Sequence, residues 1–271
     1  MTTGALIYAF NNENIDYVTI AAWQASNIRR HLKIPVALVT DNTNNEITKR
    51  FDKVIVTQPQ TGGTRLFSDI GTASTWYNAS RVDSYDLTPW DQTLLLDADY
   101  VVASNQLKYI LDSEQEFLAH NRAYDITHRD DFSGMNCFGA FKMPMWWATV
   151  VMFRKTKRSK MIFDVMQMIK NNWQHYRHLY QTGNSVYRND HALSIALNVV
   201  NGHNINSPAI PWDLASVTPD HSVSVVAQDC YRVEFVDSGK RKWIEIRDFD
   251  FHAMGKKQLG EISNEYNCYR T

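Results

Sequence analysis

Two aspartates follow an apolar segment near the middle of the chain. In the stretch LLLDADYVV, the leucines at 94–96 are followed by Asp97 and Asp99, with one alanine between the two acids. Carboxylates this close at the end of a buried strand repel each other, and a cation between them offsets the repulsion. Hard divalent cations prefer carboxylate oxygens and can bind phosphate at the same time. The pair therefore predicts a metal site, the alternative being that one aspartate merely caps the following turn.

The segments around this pair predict the elements that position it. Strands are expected at 5–10, 35–40, 54–57 and 93–96, and helices at 15–32 and 73–85. Strands separated by helical crossovers predict an α/β fold with a Rossmann-like, mainly parallel sheet flanked by helices. Ligands of such sheets gather at the carboxyl ends of the strands, where Asp41 and the Asp97/Asp99 pair both stand.

The second half of the chain is less regular but continues the α/β pattern. Strands are expected at 148–153, 223–227, 232–236 and 243–246, and helices at 162–176 and 190–200. Gly202 suits the end of the last of these helices, and residues 237–239 suit a turn between strands. No segment has the length and composition of a linker between domains, which favours a single domain.

The composition is that of an ordinary globular protein. Of the 271 residues, 44% are hydrophobic and 21% are charged, and the formal net charge is -1. These values exclude a largely disordered chain and a histone-like basic binder. The three cysteines form no CxxC pattern, which suits a reducing compartment. Because the start lacks a signal-peptide pattern and the apolar stretch at 143–153 is too short for a bilayer, we expect a cytoplasmic protein without a membrane contact.

Three further segments resemble a known enzyme family, in the order in which that family carries them. The opening YAFNNENIDYVTIAAWQASNIRRHLKIPVALVTD precedes the DxD, RNDHAL lies in the second half, and FHAMGKK lies near the C-terminus. Together with LLLDADYVV they resemble glycosyltransferases of the GT-A fold, in particular the glycogenin-like family eight. The resemblance implies a single GT-A domain over 1–271, with a nucleotide-binding half at 1–103. The acceptor half at 104–271 would include a C-terminal closure over metal and phosphate.

The resemblance to family eight implies transfer of a hexose or pentose from a nucleotide diphosphate sugar to an acceptor hydroxyl. The donor would be of the UDP type, and Mn²⁺ or Mg²⁺ would be held by Asp97, Asp99 and His252. An imidazole among the ligands shifts the preference from magnesium towards manganese. Asp190, near the donor sugar, and Asp99 would be the catalytic residues. In the plainer alternatives, His252 is a partly buried histidine and Asp190 caps a helix.

The same resemblance implies contacts with both substrates. Residues expected to meet the donor are Tyr8, Ala9, Phe10, Asn11, Asp41, Arg81, Asp97, Ala98, Asn189, Gly255, Lys256 and Lys257. The family places a lysine six residues after the histidine, where this chain has Gln258, so either Lys256 or Lys257 would take that role. Trp146 and Trp147 would belong to the acceptor site through stacking, with a core role favoured for at least one of them.

A basic run follows the tryptophan pair. Residues 154–160 (RKTKRSK) contain five basic residues and no acid. Such a run is usually a solvated helix face, but it can also follow a phosphate backbone. MPMWWATVVMFRK and RNDHALSIAL resemble segments of DNA-modifying glycosyltransferases of T-even-like bacteriophages. This second resemblance implies a DNA acceptor, with glucosyl or arabinosyl transfer to 5-hydroxymethylcytosine; the alternative acceptor is a saccharide or a protein.

Two other classes of protein remain open from the sequence. LLLDADYVV also fits the start of haloacid-dehalogenase-like phosphatases, whose first aspartate is a nucleophile. That motif normally opens the fold, whereas three strands are expected before Asp97 here. A binding module that retains the nucleotide site without turnover is the other class. The chain contains no Walker loop, GxGxxG or zinc signature that would indicate a kinase, a dehydrogenase or a deaminase.

Overall fold

The computed structural model describes residues 1–41, 46–67, 71–129, 131–183, 185–204 and 207–268. In chain order the strands are β1 (Thr3–Tyr8), β2 (Val36–Thr40), β3 (Lys53–Val56), β4 (Gly63–Phe67), β5 (Thr72–Trp76), β6 (Gln92–Leu96), β7 (Tyr100–Val101), β8 (Phe117–His120), β9 (Ala123–Asp125), β10 (Cys137–Phe138), β11 (Met143–Pro144), β12 (Trp147–Arg154), β13 (Leu214–Val217), β14 (Ser222–Ala227), β15 (Cys230–Asp237), β16 (Lys240–Arg247) and β17 (Phe251–Ala253). The α-helices are α1 (Tyr17–Leu32), α2 (Ser84–Leu87), α3 (Lys108–Leu111), α4 (Lys157–Asn171), α5 (Trp173–Leu179), α6 (Asn189–Val200) and α7 (Lys256–Cys268). Short 3₁₀ helices cover Glu46–Arg50, Ala79–Asp83 and Ser133–Met135. Across these ranges, no helix combines the length and the apolarity that a membrane span requires.

The central sheet has six strands in the order β3-β2-β1-β6-β12-β8. β3, β2, β1 and β6 are parallel to one another, while β12 runs antiparallel to both of its neighbours. Every residue of β2 and β6 is buried. Because successive side chains point to opposite faces, these strands are covered on both sides, as their continuous apolar sequences predict. Chain order reverses between β1 and β6, and such a reversal opens a crevice at the carboxyl ends of the two strands.

The connection from β1 to α1 is fixed by side chains that cap the helix. Asp16 Oδ1 accepts a hydrogen bond from the Thr19 N–H at 3.0 Å. Asn11 Oδ1 accepts one from the Val18 N–H at 3.0 Å. These bonds satisfy N–H groups that have no partner within the helix. The caps therefore determine how the chain leaves the end of β1, which borders the crevice.

A second sheet, in the order β7-β17-β13-β9, carries the C-terminal part of the chain to the end of β6. β7 begins one residue after Asp99, and β17 pairs with it so that His252 lies opposite Tyr100. The Ala253 N–H donates to the Asp99 carbonyl at 3.0 Å. This pairing brings His252 beside the two aspartates, although the intervening chain is long.

The third sheet is the antiparallel meander β14-β15-β16. The turn before β15 connects it with α1 through side-chain contacts. Ser238 and Gly239 adopt φ angles of 51° and 76° between β15 and β16, as a two-residue hairpin turn requires. Asp229, in the turn before β15, forms an ion pair with Arg30 at the end of α1, and its Oδ1 lies 3.0 Å from His31 Nε2. The positive φ angles of Ser238 and Gly239 confirm the turn predicted at 237–239.

The predicted fold class, α/β with a mainly parallel central sheet flanked by helices, is confirmed. One predicted element is wrong: residues 73–85 do not form a helix but lie in β5, a 3₁₀ helix and α2. The threonines and tryptophan of β5 suit a strand, and β5 pairs with β4 in a hairpin that local spacing cannot reveal. The long helix predicted over 162–176 is two helices, because α4 ends at Asn171 and α5 begins at Trp173.

Gly4 in β1 provides a test of the packing at the amino-terminal end of the central sheet. A Cβ atom at position 4 would lie 2.4 Å from Cε2 of Trp90, so the indole or the strand would have to shift. We expect Gly4→Ala to lower the free energy of unfolding by about 1–3 kcal/mol. Gly134→Ala is the matched control, since a Cβ there meets nothing within 4 Å. Urea denaturation that gives equal stabilities for both variants would contradict this packing.

Candidate active site

The carboxyl ends of β1 and β6 open into a cavity of about 570 Å³. The cavity lies where chain order in the central sheet reverses, which is the usual ligand position in α/β sheets. Its walls are completed by the β4–β5 hairpin, the segment that leads into the 3₁₀ helix at 79–83, the start of β12, the start of α6, and β17 with the residues after it. The volume falls within the range of roughly 300–1,000 Å³ that is typical of small-molecule sites.

Asp97 is held by a buried arginine. Its backbone N–H donates to the Thr149 carbonyl at 2.9 Å, which continues the pairing of β6 with β12. Its side-chain Oδ1 forms an ion pair with Nη1 of Arg81, whose side chain is 3% exposed. Arg81 Nη2 also donates to the Ala148 carbonyl at 2.8 Å. Arg81 therefore joins the ends of β6 and β12 and orients the first carboxylate.

Asp99 is held by two basic groups from the C-terminal segment. Its Oδ2 atom forms an ion pair with Lys256 Nζ and lies 3.4 Å from His252 Nε2. Lys256 Nζ also donates to the Ala253 carbonyl at 3.2 Å. Each aspartate of the pair thus has its own basic partner: Arg81 lies 16 residues before Asp97 in the chain, and Lys256 lies 157 residues after Asp99.

Asp97, Asp99 and His252 together form a group that can hold a metal ion. One ligand atom from each residue lies within 4.8 Å of the others. Ligand atoms about 2.1 Å from one ion are about 3.0 Å apart when they are neighbours in an octahedral shell, so the side chains would have to close by up to about 2 Å. Two carboxylate oxygens and an imidazole nitrogen suit a divalent cation, and the open cavity leaves room for further ligands.

The protonation state of His252 also suits a metal ligand. Burial lowers the pKa of this imidazole, against the opposing effect of the Asp97 and Asp190 carboxylates. The guanidinium groups of Arg188 and Arg81 lower it further. The neutral imidazole, the form that binds metals, therefore prevails at neutral pH.

Asp190 presents a fixed carboxylate to the cavity. Its Oδ1 accepts a hydrogen bond from the Ala148 N–H at 2.9 Å, and its Oδ2 pairs with Arg188 Nη2 at 3.0 Å. Burial by itself would raise the pKa of Asp190, but the Arg188 charge and the Ala148 N–H outweigh it, so the pKa is lowered. The N-cap of α6 is Arg188 rather than Asp190. Asp190 is therefore ionised at neutral pH and is not the capping residue.

The structure brings most of the residues predicted for the site to this cavity. Those that line it are Tyr8, Phe10, Arg81, Asp97, Ala98, Asp99, Trp147, Asn189, Asp190, His252 and Lys256. Of the two candidate lysines, only Lys256 is among them, and Lys257 is exposed. Of the tryptophan pair, only Trp147 faces the cavity.

The remaining predicted residues lie outside the cavity lining: Ala9, Asn11, Asp41, Trp146, Gly255 and Lys257. Asn11 caps α1, as described above. Asp41 is exposed at the end of β2, and β1 separates β2 from β6 in the sheet. The backbone N–H of Trp146 donates to Ser194 Oγ at 2.7 Å, and its ring is buried beside α6. Trp146 precedes β12 and packs beside α6, whereas Trp147 begins β12 and lines the cavity, so the two rings do not share one surface.

Several cavity residues were missed by the sequence analysis: Tyr17, Thr64, Thr75, Trp76, Tyr77, Asn78, Ala148, Thr149, Val186, Arg188, Pro219 and Met254. Asn78 Nδ2 lies 3.4 Å from Asp97 Oδ1, and the Asn78 carbonyl accepts a hydrogen bond from Asn189 Nδ2 at 2.9 Å. Asn78 was hidden in the segment interpreted as a helix. Arg188 in RNDHAL, Met254 in FHAMGKK and Tyr17 in the opening segment lie within motifs that the sequence analysis singled out.

The basic run at 154–160 lies away from the cavity. β12 pairs Val150 with Leu96 at the cavity end of β6, and Arg154 with Gln92 at the opposite end. The run therefore begins about 20 Å from the start of β12. Arg158 donates to Asn201 Oδ1 at 2.6 Å, and Lys160 pairs with Asp164 at 2.7 Å.

The comparisons with known proteins give similar structures but no family. No family model matches the chain, and no curated protein matches it. The glycosyltransferase GlyE of Streptococcus pneumoniae TIGR4 is similar with a TM-score of 0.44 and 13% identity, over 78% of this chain and 46% of GlyE, less than half its length. The galactosyltransferase LgtC, in complex with donor and acceptor sugar analogs, gives 0.46 and 12%, over 72% of this chain and 70% of LgtC. Mouse xyloside xylosyltransferase 1 gives 0.44 and 12%, over 79% and 86%. At these values, function has to be inferred from the residues of the site.

Arg81 allows a test of how the first carboxylate is held. Arg81→Met should lower the free energy of unfolding by roughly 1–3 kcal/mol, because the Ala148 carbonyl and Asp97 lose their buried donor. The double variant Arg81→Met/Asp97→Asn should recover part of this loss, because the unpaired charge is removed. Arg122→Met is the control, since the Arg122–Asp213 pair is exposed and should be worth under about 1 kcal/mol. Urea unfolding that shows equal effects at positions 81 and 122 would contradict the assignment.

Proposed function

We propose that the chain is a metal-dependent glycosyltransferase of the GT-A type, which moves a sugar from a nucleotide diphosphate sugar to an acceptor hydroxyl. One observation carries this proposal: Asp97, Asp99 and His252 converge on the wall of the cavity where chain order reverses. Nucleotides bind at this position in many α/β sheets, and cations held by carboxylates also bind phosphate. The resemblance of the sequence to family eight supports the same assignment.

Asp97, Asp99 and His252 would hold the metal ion in this enzyme. A bound ion would offset the negative charge that develops on the departing diphosphate. The imidazole nitrogen in the ligand set favours Mn²⁺ over Mg²⁺, which prefers oxygen ligands only. Either ion would be able to act as the cofactor of the proposed reaction.

Two basic side chains have separate roles in the proposed site. Arg81 is buried, and both of its Nη atoms are occupied by Asp97 and the Ala148 carbonyl, so its main role is to position Asp97. Lys256 lines the cavity, whereas Lys257 is exposed. We therefore assign the phosphate-binding lysine of the family to Lys256.

Asp190 is the second carboxylate with a proposed catalytic role. Transfer of a glycosyl group passes through a transition state with positive charge at the anomeric carbon. A fixed and ionised carboxylate stabilises such charge without having to reorganise. The hydrogen bond from Ala148 and the ion pair with Arg188 supply both properties. Asp190 would either stabilise this charge or hold a hydroxyl of the donor sugar.

The base of the donor would lie at the end of β1. Tyr8, Phe10 and Tyr17 line this part of the cavity, and Tyr17 is the most exposed of the three. Aromatic faces stack on bases of any kind, so these rings support a nucleotide without selecting its base. The proposal of a UDP-type donor rests on the resemblance to family eight.

The phosphatase interpretation receives less support from the site. β6 is the fourth strand of the central sheet in chain order, whereas the phosphatase motif opens its fold. In the proposed transferase, Asp97 would bind the metal ion and would not form a covalent bond with the substrate.

The proposed acceptor is DNA that contains 5-hydroxymethylcytosine, as the resemblance to phage enzymes implies. The basic run at 154–160 gives this acceptor no direct support, because it lies at the opposite end of β12 from the cavity. DNA would instead have to approach the cavity mouth beside Trp76, Val186 and Arg188. A base within a duplex would have to leave the stack, or its 5-substituent would be reached through the major groove.

Substitution of the proposed metal ligands tests the transferase assignment. We expect Asp99→Asn and His252→Gln each to lower sugar transfer by at least about 100-fold and to weaken Mn²⁺ binding, because a direct ligand matters at least as much as the groups that support it. Transfer would be followed with radiolabelled nucleotide sugars, and Mn²⁺ binding by electron paramagnetic resonance.

The control for these variants is Asp164→Asn, which makes the same chemical change at an exposed position of α4. It should leave transfer and Mn²⁺ binding unaltered. Wild-type protein treated with EDTA should be inactive and should recover when Mn²⁺ is added. Full transfer in EDTA would contradict the metal-dependent mechanism.

The acceptor is tested by offering labelled donor with hydroxymethylated DNA, unmodified DNA, small sugars and proteins. We expect label only on hydroxymethylated DNA. The double variant Lys155→Gln/Lys157→Gln should leave the KM unchanged for a DNA too short to span the distance of about 20 Å between these exposed lysines and the cavity end of β12. Label on a sugar or a protein, with DNA ignored, would overturn the DNA acceptor but not the transferase.

A further inference from the structure

One oxygen atom, Oδ2 of Asp99, receives two groups from the C-terminal segment. Lys256 Nζ is in direct contact with it, and His252 Nε2 lies 3.4 Å away. The same carboxylate belongs to the group of three that can hold a metal ion. The Lys256 ammonium is therefore paired with the carboxylate that would be a ligand of the ion.

The surrounding residues fix the position of the Lys256 side chain. Its side chain is only 11% exposed, and Nζ also donates to the Ala253 carbonyl at 3.2 Å. The residue begins α7, which is anchored by the buried side chains of Leu259 and Ile262. The contact with Asp99 joins residues that are 157 positions apart in the chain.

An ammonium group and a divalent cation cannot share one carboxylate oxygen at contact distance. The ion would lie about 2.1 Å from the oxygen, so the two positive charges would be close together in a poorly hydrated place. His252 Nε2 lies 3.4 Å from the same oxygen, so an ion held by both Asp99 and His252 would bind Oδ2, and Lys256 would have to leave it. Its flexible four-carbon stem permits this movement without a change in the backbone.

Arg81, the partner of Asp97, differs from Lys256 in this respect. The guanidinium is buried, and its two Nη atoms bind two different acceptors, Asp97 and the Ala148 carbonyl. If Arg81 left, the Ala148 carbonyl would lose its donor, which is costly for a buried group. Of the two basic partners of the DxD, Lys256 is thus the one able to move.

We propose that Lys256 occupies the metal position on Asp99 in the free protein, and that the diphosphate of the donor draws it away. This inference rests on the proposed function, since it assigns the metal group and the diphosphate to this cavity. The lysine charge would pass from Asp99 to the diphosphate as the ion takes its place. Metal and nucleotide then favour each other's binding, because each needs the lysine in the same new position, and such coupling is reciprocal.

The test measures each ligand without the other. Mn²⁺ binding is followed by electron paramagnetic resonance in the absence of nucleotide, and UDP binding by calorimetry in EDTA. Lys256→Met should bind Mn²⁺ at least about tenfold more tightly than the wild type, because no ammonium has to be displaced. The same variant should bind UDP at least about tenfold more weakly, because the phosphate contact is lost. A general loss of structure would weaken both.

Lys257→Met is the matched control, since it removes the same charge one residue away from an exposed position. It should change neither affinity. If Lys256→Met is unfolded, as judged by circular dichroism, Lys256→Gln replaces it and is expected to show the same opposite changes.

The possible outcomes separate the two levels of the proposal. Equal Mn²⁺ affinities of wild type and Lys256→Met would overturn the role of Lys256 and leave the metal site intact. Equal tightening by Lys256→Met and Lys257→Met would reduce the effect to net charge and would also overturn it. Failure of all the proteins to bind Mn²⁺, with or without UDP, would remove the metal site of the proposed function and this inference with it.

Discussion

The repulsion between two carboxylates at the end of a buried strand governs the organisation of this protein. Asp97 and Asp99 follow β6 with one alanine between them, and their negative charges repel each other. Arg81 compensates the charge of Asp97, and Lys256, from the C-terminal segment, compensates the charge of Asp99. Segments that are far apart in the chain are therefore drawn to the same strand end. The cavity is the space left between them.

The parts of the fold that were predictable are those whose signal is local. β1, β2 and β6 are buried on both faces, so each appears in the sequence as a continuous apolar run. α1 and α6 show helical spacing over several turns and were predicted to within two residues. The position of the DxD after β6 follows directly from these runs. The group formed with His252 was also expected, but from the resemblance to family eight rather than from any local pattern.

The parts that were not predictable depend on partners that are distant in sequence. β5 is a strand because β4 pairs with it, and the residues at 72–76 do not by themselves identify that partner strand. Asn78 reaches the site only as a consequence of this hairpin. Asp41 has the same local context as Asp97, at the end of a parallel strand, yet it lies two strands from β6 and stays outside the cavity. Local sequence identifies strand ends, but only the strand order determines which of them meet.

The insertion of β17 between β7 and β13 has a consequence for the order of folding. The central sheet is complete once β12 has been synthesised, whereas the strand that carries His252 comes about a hundred residues later. The chain can therefore build its core well before it acquires an intact ligand set. β17 has only three residues, of which Phe251 and Ala253 are buried in the core. We expect the ability to retain an ion to be gained only after this late segment has been synthesised and has packed.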